Sequence, residues 1–389
     1  MARPKVLLGM SGGVDSSVAA LLLCEQGYDV EGVTLQVWEH EDREAPVSKK
    51  WEERGCCKVG LARHVAKVLN ISHRVVDTRL QFQQGVVDDF VSGYLAGTTP
   101  NPCVRCNERV KFGRLYELAQ ESNADFLATG HYARILRSQG GYGLYRGVDE
   151  KKDQSYFLYR ISKTWLPRIL FPLGAFTKRQ VWERAVDLDL PVEELKESQE
   201  ICFVTQGDYR EFLKIQAPSA RKPGRFVDGA GRYLGDHQGI AFYTPGQRKG
   251  LGIATGERKY VKEVIPETNT VVLGDSGDLL QSTCEAADLN WLDDSVRENQ
   301  YVTVKYRYAS VPVQAMVRQK SQSQILMEFV EPQQAPSPGQ SMVLYKGQQV
   351  LGGGIIQRYR LPEKPTVQIS SGSTSDKSQR TPSVLLPAG

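Results

Sequence analysis

Long hydrophobic runs are the first thing that this sequence of 389 residues lacks. Its longest aliphatic run, at 18–23, is far shorter than the roughly 20 apolar residues that a membrane-spanning helix needs. The first ten residues contain no apolar segment of about 7 to 15 residues with a small-residue cleavage site, so we predict no export signal. We therefore expect a cytoplasmic protein that makes no contact with a membrane.

Cysteine is also scarce, with seven residues in the chain, and the odd number argues against a disulfide framework. In the cytoplasm we expect these residues to be reduced thiols. Cys103 and Cys106 form a Cys-x-x-Cys pattern, which inside cells indicates metal or redox chemistry more often than cross-linking. Cys24 and Cys284 are expected to be ordinary buried thiols. The sequence contains no conventional set of metal ligands, and we predict no metal site from it.

Net charge is small, because 49 basic residues nearly balance 45 acidic ones, and the total of +4 predicts only a weak preference for polyanions. The distribution is uneven, with eleven Lys or Arg and four Asp or Glu between residues 210 and 262. A basic segment of this kind suits contact with a nucleic-acid backbone. A solvated basic surface without a partner would give the same pattern.

The first half of the chain alternates apolar runs with helical patterns. We predict strands at 5–9, 30–37, 74–76 and 126–129, and helices at 14–26, 59–69, 82–95 and 108–121. This β-α-β alternation predicts an α/β fold, Rossmann-like, in which helices cover both faces of a parallel sheet. Ligands of such sheets bind at the carboxyl ends of the strands.

The texture changes after about residue 208, which predicts further domains. We assign 1–208 to the parallel-sheet domain and 209–280, rich in Gly and Pro, to a small basic central domain. Short strands at 301–308, 311–318, 324–330 and 341–345 predict an antiparallel β-barrel over 281–362. The segment 363–389 has six Ser, three Thr and no aromatic residue, so we expect a disordered tail.

A glycine- and serine-rich segment, Ser11-Gly12-Gly13-Val14-Asp15-Ser16-Ser17, lies between the first predicted strand and the first helix. Backbone N–H groups and the helix dipole make such a place an anion site. The segment is neither a Walker A loop, because it lacks the Lys, nor a G-x-G-x-x-G loop. Asp15 either braces the loop or meets a phosphate-bound Mg²⁺.

This motif resembles the pyrophosphate loop of the ATP pyrophosphatase superfamily, whose members adenylate an oxygen and release pyrophosphate. The resemblance implies that the chain binds ATP, with Mg²⁺, and that the adenine lies near Gly9, Leu35 and Gly130. The remaining nucleotide contacts that it implies come from the loop itself: Met10, Ser11, Gly12, Gly13, Val14, Asp15 and Ser16.

A second set of motifs narrows the resemblance. It comprises Thr-Pro-Asn-Pro-Cys-Val-Arg-Cys-Asn at 99–107 and shorter patterns at 128–132, 152–156, 198–203, 245–252, 307–308 and 338–340. Together these closely resemble the bacterial tRNA-specific 2-thiouridylases, in order, over about residues 4–360. The parallel-sheet domain, the central domain and the β-barrel all fall within this range.

The resemblance implies a reaction at the wobble uridine of tRNA, in the acceptors for Glu, Gln and Lys. ATP activates the C2 oxygen of the uracil, and a cysteine persulfide then delivers sulfur to C2, with release of AMP and pyrophosphate. Cys202 is implied as the persulfide carrier, loaded by a sulfur-donor protein. Cys106 is implied to assist the attack and to close a disulfide with Cys202.

An anticodon-loop base is unpaired, so it can be splayed into a pocket at modest cost. The resemblance implies that the base meets 101–103 and that the other tRNA contacts lie elsewhere in the chain. The implied substrate residues are Asn101, Pro102, Cys103, His131, Lys152, Asp153, Gln154, Arg307, Tyr308 and Gln340.

The chain departs from the family pattern at Cys103, where many members have Asp. A thiol is a weaker hydrogen-bond acceptor than a carboxylate and could instead serve as a spare sulfur carrier. With Cys106 and Cys202 it also makes three cysteines, enough to hold an iron-sulfur cluster with one open iron. Both interpretations stay open on the sequence alone.

Two other functions are compatible with the loop. One is an ATP pyrophosphatase that amidates a small molecule, which leaves the cysteine motifs and the β-barrel unexplained. The other is a nucleotide-sensing RNA-binding protein without catalysis, against which the intact 11–17 loop argues.

Overall fold

The computed structural model describes residues 2–38, 59–138, 140–188, 201–204, 208–254 and 256–358, and 1–358 form one compact unit. The predicted tail at 363–389 lies outside the described residues. In chain order the strands are β1 Lys5–Gly9, β2 Asp29–Gln36, β3 Ser72–Asp77, β4 Phe126–Thr129, β5 Ala133–Ser138, β6 Gly141–Arg146, β7 Ile169–Leu170, β8 Gly224–Val227, β9 Tyr233–His237, β10 Tyr260–Ile265, β11 Thr270–Gly274, β12 Leu280–Trp291, β13 Tyr301–Lys305, β14 Val313–Lys320, β15 Gln324–Gln334, β16 Ser341–Lys346 and β17 Gln349–Ile356.

Seven helices accompany the strands within the described residues. They are α1 Val14–Glu25, α2 Val59–Val68, α3 at 79–95, α4 at 102–121, α5 Ser155–Leu158, α6 Lys178–Ala185 and α7 Tyr209–Gln216. None of these helices is long and apolar enough to cross a membrane.

A parallel sheet in the order β3-β2-β1-β4-β7 forms the first half of the molecule, as predicted. Alternate residues of β1 enter different cores because successive side chains of a strand point to opposite faces. Val6 and Leu8 pack in the core that contains residues of α1 and α2, whereas Leu7 packs with Phe112 and Leu115 of α4. The sheet is therefore buried on both faces, which explains why its strands read as continuous apolar runs.

Helices α3 and α4 each contain a π-helical segment. In α3 it is Gln83–Val87, and in α4 it is Cys106–Phe112. We predicted that α4 begins near residue 108, and this was wrong: it begins at Pro102, after the N-cap Asn101. Proline suits the first helical position, because its missing N–H has no partner there in any case. Both cysteines of the Cys-x-x-Cys pattern therefore lie on a helix.

The β-barrel is closed. Its strands run in the order β12-β15-β14-β13-β16-β17, and β12 also pairs with β17. The predicted strands near 301, 311, 324 and 341 are confirmed, but β12 and β17 were missed. Three successive glycines in β17 hid its strand pattern, and the packing needs them: a Cβ on Gly353 would lie 2.2 Å from the Met342 carbonyl oxygen.

The central segment forms a small sheet in the order β10-β11-β8-β9, preceded by α7. The hairpin β5–β6, which lies between β4 and β7 in the chain, extends the barrel sheet through Gln349 and Tyr145. The α/β class, the small central domain and the antiparallel barrel are thus confirmed, while the domain boundaries stay predictions.

An ion network ties α4 to the barrel. Asp288 of β12 accepts from Arg105 and Arg160, each at 3.0 Å, and Glu108 lies 3.0 Å from Arg105 and 2.7 Å from Arg160. The Arg160 side chain is only 8% exposed. Burial alone would raise the pKa of Asp288, but the two guanidinium groups outweigh it and lower that pKa. The contact therefore persists until the pH falls below the usual range of an aspartate.

Asp288→Asn should lower the free energy of unfolding by about 1–2 kcal/mol, because Arg160 keeps its charge and loses a partner. Asn tolerates the positive φ of 52° at this position, so the change removes charge without adding strain. Urea unfolding would measure the effect. Asp294→Asn is the matched control, since the Asp294 pair with Lys163 is exposed and should change stability by less than about 0.5 kcal/mol. Equal effects of the two changes would contradict the assignment.

Candidate active site

The 11–17 loop runs from β1 into α1, as the sequence predicted, and its serines organise the loop itself. Ser16 Oγ donates to the Gly13 carbonyl oxygen at 3.0 Å and accepts from the Ser11 N–H at 3.2 Å, while Ser17 Oγ donates to the same carbonyl at 2.9 Å. Gly13 is the N-cap of α1 and provides no side-chain cap. The first-turn N–H groups therefore keep their capacity to bind an anion.

Asp15 is engaged by two side chains from later in the chain. Its Oδ1 accepts from the Tyr132 hydroxyl and from Lys178 Nζ, both at 2.7 Å. Of the two interpretations left open by the sequence, bracing of the loop is the one that this geometry favours. Lys178 begins α6 and has no local motif that would have identified it, so only the fold brings it to the loop.

Gly130 touches the loop through its backbone. A Cβ at this position would lie 2.8 Å from the carbonyl carbon of Asp15 and 2.9 Å from the Ser16 nitrogen. Gly130 follows β4, so the carboxyl ends of β1 and β4 meet at this point. The interpretation of Gly130 as part of the nucleotide site is thus supported by close approach of two backbones.

Cys103, Cys106 and Cys202 come together although 96 positions separate the last two. Cys103 and Cys202 are exposed, whereas Cys106 is only 7% exposed. The Cys106 thiol interacts electrostatically with both others, and the Cys103 thiol interacts with that of Cys202. No disulfide joins any of these three residues in the structure.

Phe203 places Cys202 at the cluster. Its ring is buried and lies edge-on to Phe82 and Phe90 of α3, with centroid distances of 5.7 and 5.2 Å, and it also contacts Phe212 of α7 at 5.0 Å. Aromatic pairs in this range contribute beyond simple burial. An apolar anchor therefore holds an exposed thiol beside α4.

Lys111 connects the thiols with the nucleotide side of the site. Burial raises the pKa of the Cys106 thiol to about 12 and also raises that of Cys103, while the Lys111 ammonium opposes both shifts. Burial and Lys111 together lower the pKa of His131 to about 3. At neutral pH both thiols are protonated and His131 is an uncharged ring. Lys111 was not among the site residues predicted from the sequence.

His131 is held rather than exposed. Its Nδ1 lies 2.8 Å from Thr129 Oγ1, and its ring packs beside Phe112 and Phe171. His131 follows Gly130, which touches the 11–17 loop, and Lys111 lies near enough to influence the pKa of His131 and of Cys106.

The iron-sulfur interpretation stays a prediction. Within the described ranges, which include Cys103, Cys106 and Cys202, no group of three His, Cys, Asp or Glu side chains is placed to hold a metal ion. Iron ligation by thiolates needs such a group.

Two predicted substrate residues position the start of α4. The Asn101 side chain accepts from the Val104 N–H at 3.4 Å, which caps the helix, and Gln340 Nε2 donates to the Thr99 carbonyl oxygen at 2.7 Å. Pro102 is buried beneath this turn. Gln340 therefore acts on the segment before the cysteines, at the junction with the barrel.

Two of the predicted tRNA contacts, Asp153 and Gln154, form hydrogen bonds within the protein. Asp153 is buried, and its side chain accepts hydrogen bonds from the N–H groups of Gly147 and Ser155. The Gln154 side-chain oxygen accepts from the Tyr132 N–H, and the Gln154 N–H donates to the Tyr132 carbonyl oxygen, both at 2.9 Å.

The Arg307 guanidinium donates hydrogen bonds to the Ala335 carbonyl oxygen and to the Ser337 hydroxyl, at the junction between the barrel and the central sheet. Tyr308, 39% exposed, keeps much of its ring open to solvent and packs on Phe157 at 4.4 Å. Lys152 is half-buried. It lies near Tyr308, because its charge opposes the rise in the pKa of the Tyr308 hydroxyl.

Comparison with known proteins gives a consistent result. A family model described as a tRNA methyl transferase HUP domain matches residues 4–206, a tRNA methyl transferase PRC-barrel domain matches 210–275, and an aminomethyltransferase beta-barrel domain matches 281–356. The tRNA-specific 2-thiouridylase of Carboxydothermus hydrogenoformans is 47% identical over 92% of this chain and 98% of its own. That of Acetivibrio thermocellus is 44% identical over 92% and 100%.

Solved structures match only in part. A predicted subunit of a tRNA methyltransferase from Methanocaldococcus jannaschii is 20% identical, with a TM-score of 0.31 over 47% of this chain and 74% of its own.

Iodoacetamide should label Cys202 at least tenfold faster than Cys106 at neutral pH, because Cys202 is exposed whereas Cys106 is buried and its thiol stays protonated. Labelling of Cys106 should rise with pH. Trypsin separates the three residues into peptides 80–105, 106–109 and 197–210, so mass spectrometry reads each one. In urea the difference should vanish, and a fast Cys106 in the folded protein would contradict its described burial.

Gly130→Ala should weaken ATP binding about tenfold or more, since the added methyl group displaces the backbone of the 11–17 loop. Calorimetric titration with ATP would measure it. Gly229→Ala is the control, because a Cβ at Gly229 meets no atom within 4 Å. Unchanged affinity in a folded Gly130→Ala protein would remove this contact from the nucleotide site.

Proposed function

The chain belongs to the family of tRNA-specific 2-thiouridylases, and we propose on this basis that it converts the wobble uridine of tRNA into 2-thiouridine with ATP. It is a tRNA sulfurtransferase that uses a pyrophosphate loop. The observation that carries the detailed proposal is the exposed Cys202 beside the buried Cys106, with Lys111 near enough to act on both Cys106 and His131, which follows Gly130 at the nucleotide loop.

The first step is adenylation. The C2 oxygen of the uracil attacks the α-phosphorus of ATP, an O–P bond forms, and pyrophosphate leaves with the electrons of the broken bond. The N–H groups at the start of α1 and the loop glycines suit the negative charge that develops on the phosphates. Asp15 is already in contact with Lys178 and Tyr132, so we assign no magnesium ligand to this loop.

The second step is sulfur transfer. Cys202 carries a persulfide, and the Cys106 thiolate attacks the inner sulfur, so a Cys106–Cys202 disulfide forms and hydrosulfide leaves. Hydrosulfide adds to C2 of the adenylated uridine, and AMP departs with its oxygen. The exposure of Cys202 suits loading by a persulfide-donor protein, and the burial of Cys106 keeps its thiol protonated until the substrate arrives.

The central domain supplies a surface for the tRNA backbone. Eight basic residues of this domain are exposed: Arg221, Lys222, Arg225, Arg232, Arg248, Lys249, Arg258 and Lys262. A cavity of about 380 Å³ is lined by Arg248, Arg258 and Lys259 with a single acidic residue, Glu257. Phosphate oxygens of the anticodon arm suit these groups. The exposed face of Tyr308 suits stacking with an unpaired base.

The substrates that we propose are the tRNA species for Glu, Gln and Lys, in a cytoplasmic setting. The base pocket lies at 101–103, where Asn101 and Pro102 are already held in place by the helix cap. Amidation of a small molecule leaves the two reactive thiols and the basic central domain without a role. Methyl transfer, which the descriptions of two matching family models name, also needs no such pair of thiols.

Cys106→Ser and Cys202→Ser should each reduce 2-thiouridine formation by at least a hundredfold, because each removes one sulfur of the proposed exchange. Unmodified tRNA transcripts, ATP and a persulfide source would be incubated anaerobically with the protein, and the digested tRNA would be read by mass spectrometry. Cys24→Ser, a half-buried thiol on α1, is the matched control and should keep full activity.

Pyrophosphate release separates the steps in the same assay. Cys106→Ser should still release tRNA-dependent pyrophosphate, since adenylation needs no thiol. Thiolation retained by either variant would remove that cysteine from the mechanism, and pyrophosphate release without any tRNA would favour a small-molecule substrate.

A further inference from the structure

The proposed reaction leaves the enzyme with a Cys106–Cys202 disulfide, which must be opened before the next turnover. This disulfide would tie α4 to the 201–204 segment, two parts of the chain that are 96 positions apart. While it persists, Cys202 cannot accept a new persulfide. A third thiol near the pair can attack this disulfide. Cys103 is such a thiol, since it interacts electrostatically with both Cys106 and Cys202.

Cys103 and Cys106 are placed for exchange. They lie three positions apart on α4, where helix geometry separates Cα atoms by about 5 Å. That spacing falls within the range that a disulfide accepts. Cys103 lies in the first turn and is exposed, whereas Cys106 lies in the next turn and is buried. The pair thus combines a residue that is open to solvent with a buried one.

We propose, on the basis of the function proposed above, that Cys103 resolves the Cys106–Cys202 disulfide. The Cys103 thiolate attacks the Cys106 sulfur, a Cys103–Cys106 disulfide forms, and the Cys202 thiolate leaves. Cys202 is then ready for the next persulfide. An external dithiol reduces the Cys103–Cys106 disulfide through the exposed Cys103 sulfur, and two thiols are restored while the dithiol is oxidised to its own disulfide.

The direction of attack follows from the properties of the two sulfurs. Attack at the Cys202 sulfur would expel the Cys106 thiolate, and burial raises the pKa of that thiol to about 12, which makes it a poor leaving group. Attack at the Cys106 sulfur expels the exposed Cys202 instead. Lys111 opposes the rise in pKa of both Cys103 and Cys106, so its ammonium favours the thiolates that the exchange passes through.

Disulfide mapping after a single turnover tests the proposal. Protein loaded with polysulfide is freed of excess reagent and given ATP and a tRNA transcript anaerobically, without reductant, and it is then trapped with N-ethylmaleimide and digested with trypsin. In the wild type, peptide 106–109 should be linked to 80–105. In Cys103→Ser and Cys103→Ala it should be linked to 197–210.

The rates give a second readout. Because Cys103 belongs to the proposed base-binding segment, each Cys103 variant is referred to its own first turnover. With a dithiol reductant, the ratio of the multiple-turnover rate to the first-turnover rate should be at least tenfold lower in both variants than in the wild type. Cys24→Ser serves as the thiol-removal control and should match the wild type in both assays.

Two results of these assays would overturn the proposal: a wild-type protein that keeps 106–109 linked to 197–210, or Cys103 variants in which the ratio of multiple-turnover to first-turnover rate equals that of the wild type. Stoichiometric iron in the anaerobic wild type that is lost in Cys103→Ser would also overturn it. Mapping of polysulfide-loaded protein without tRNA tests the exchange alone. If thiolation fails while this exchange occurs, the fault lies with the proposed function and not with Cys103.

Discussion

The start of helix α4 is fixed by contacts from two later parts of the chain, and the cysteine site depends on them. The Thr99 N–H donates to the Pro338 carbonyl at 2.7 Å, and Gln340 donates back to the Thr99 carbonyl, so a barrel loop pairs with the segment before Pro102. Thr99 Oγ1 also donates to Thr244 of the central domain at 3.3 Å. Because two further domains hold this turn, neither is a mere appendage to the parallel sheet: both set where the thiols lie.

The balance of burial and charge at α4 explains how a reactive cysteine is kept at rest. Desolvation holds the Cys106 thiol in its protonated form, and the nearby Lys111 only moderates that effect. The same two influences keep His131 uncharged.

Much of the fold was predictable because its signals are local. The strand–loop–helix order at 5–25 follows from an apolar run, two glycines and a largely apolar helical segment, and the barrel strands follow from alternation. The failures have physical causes. The glycines of β17 conceal a strand that needs them for close packing, and the first turn of α4 is stabilised by Asn101 and Pro102 rather than by apolar periodicity.

The sequence by itself determined the chemical inventory: a phosphate-binding loop, a Cys-x-x-Cys pattern with a distant third cysteine, and a basic central segment. Only the tertiary structure decided which of these groups meet and in what state. Lys178 reaches Asp15 from a helix that begins more than 160 positions later, and Phe203 carries Cys202 to α4 through an aromatic cluster. Contacts between distant segments and the burial that they create depend on how the whole chain packs, and this packing sets the protonation of the Cys106 thiol.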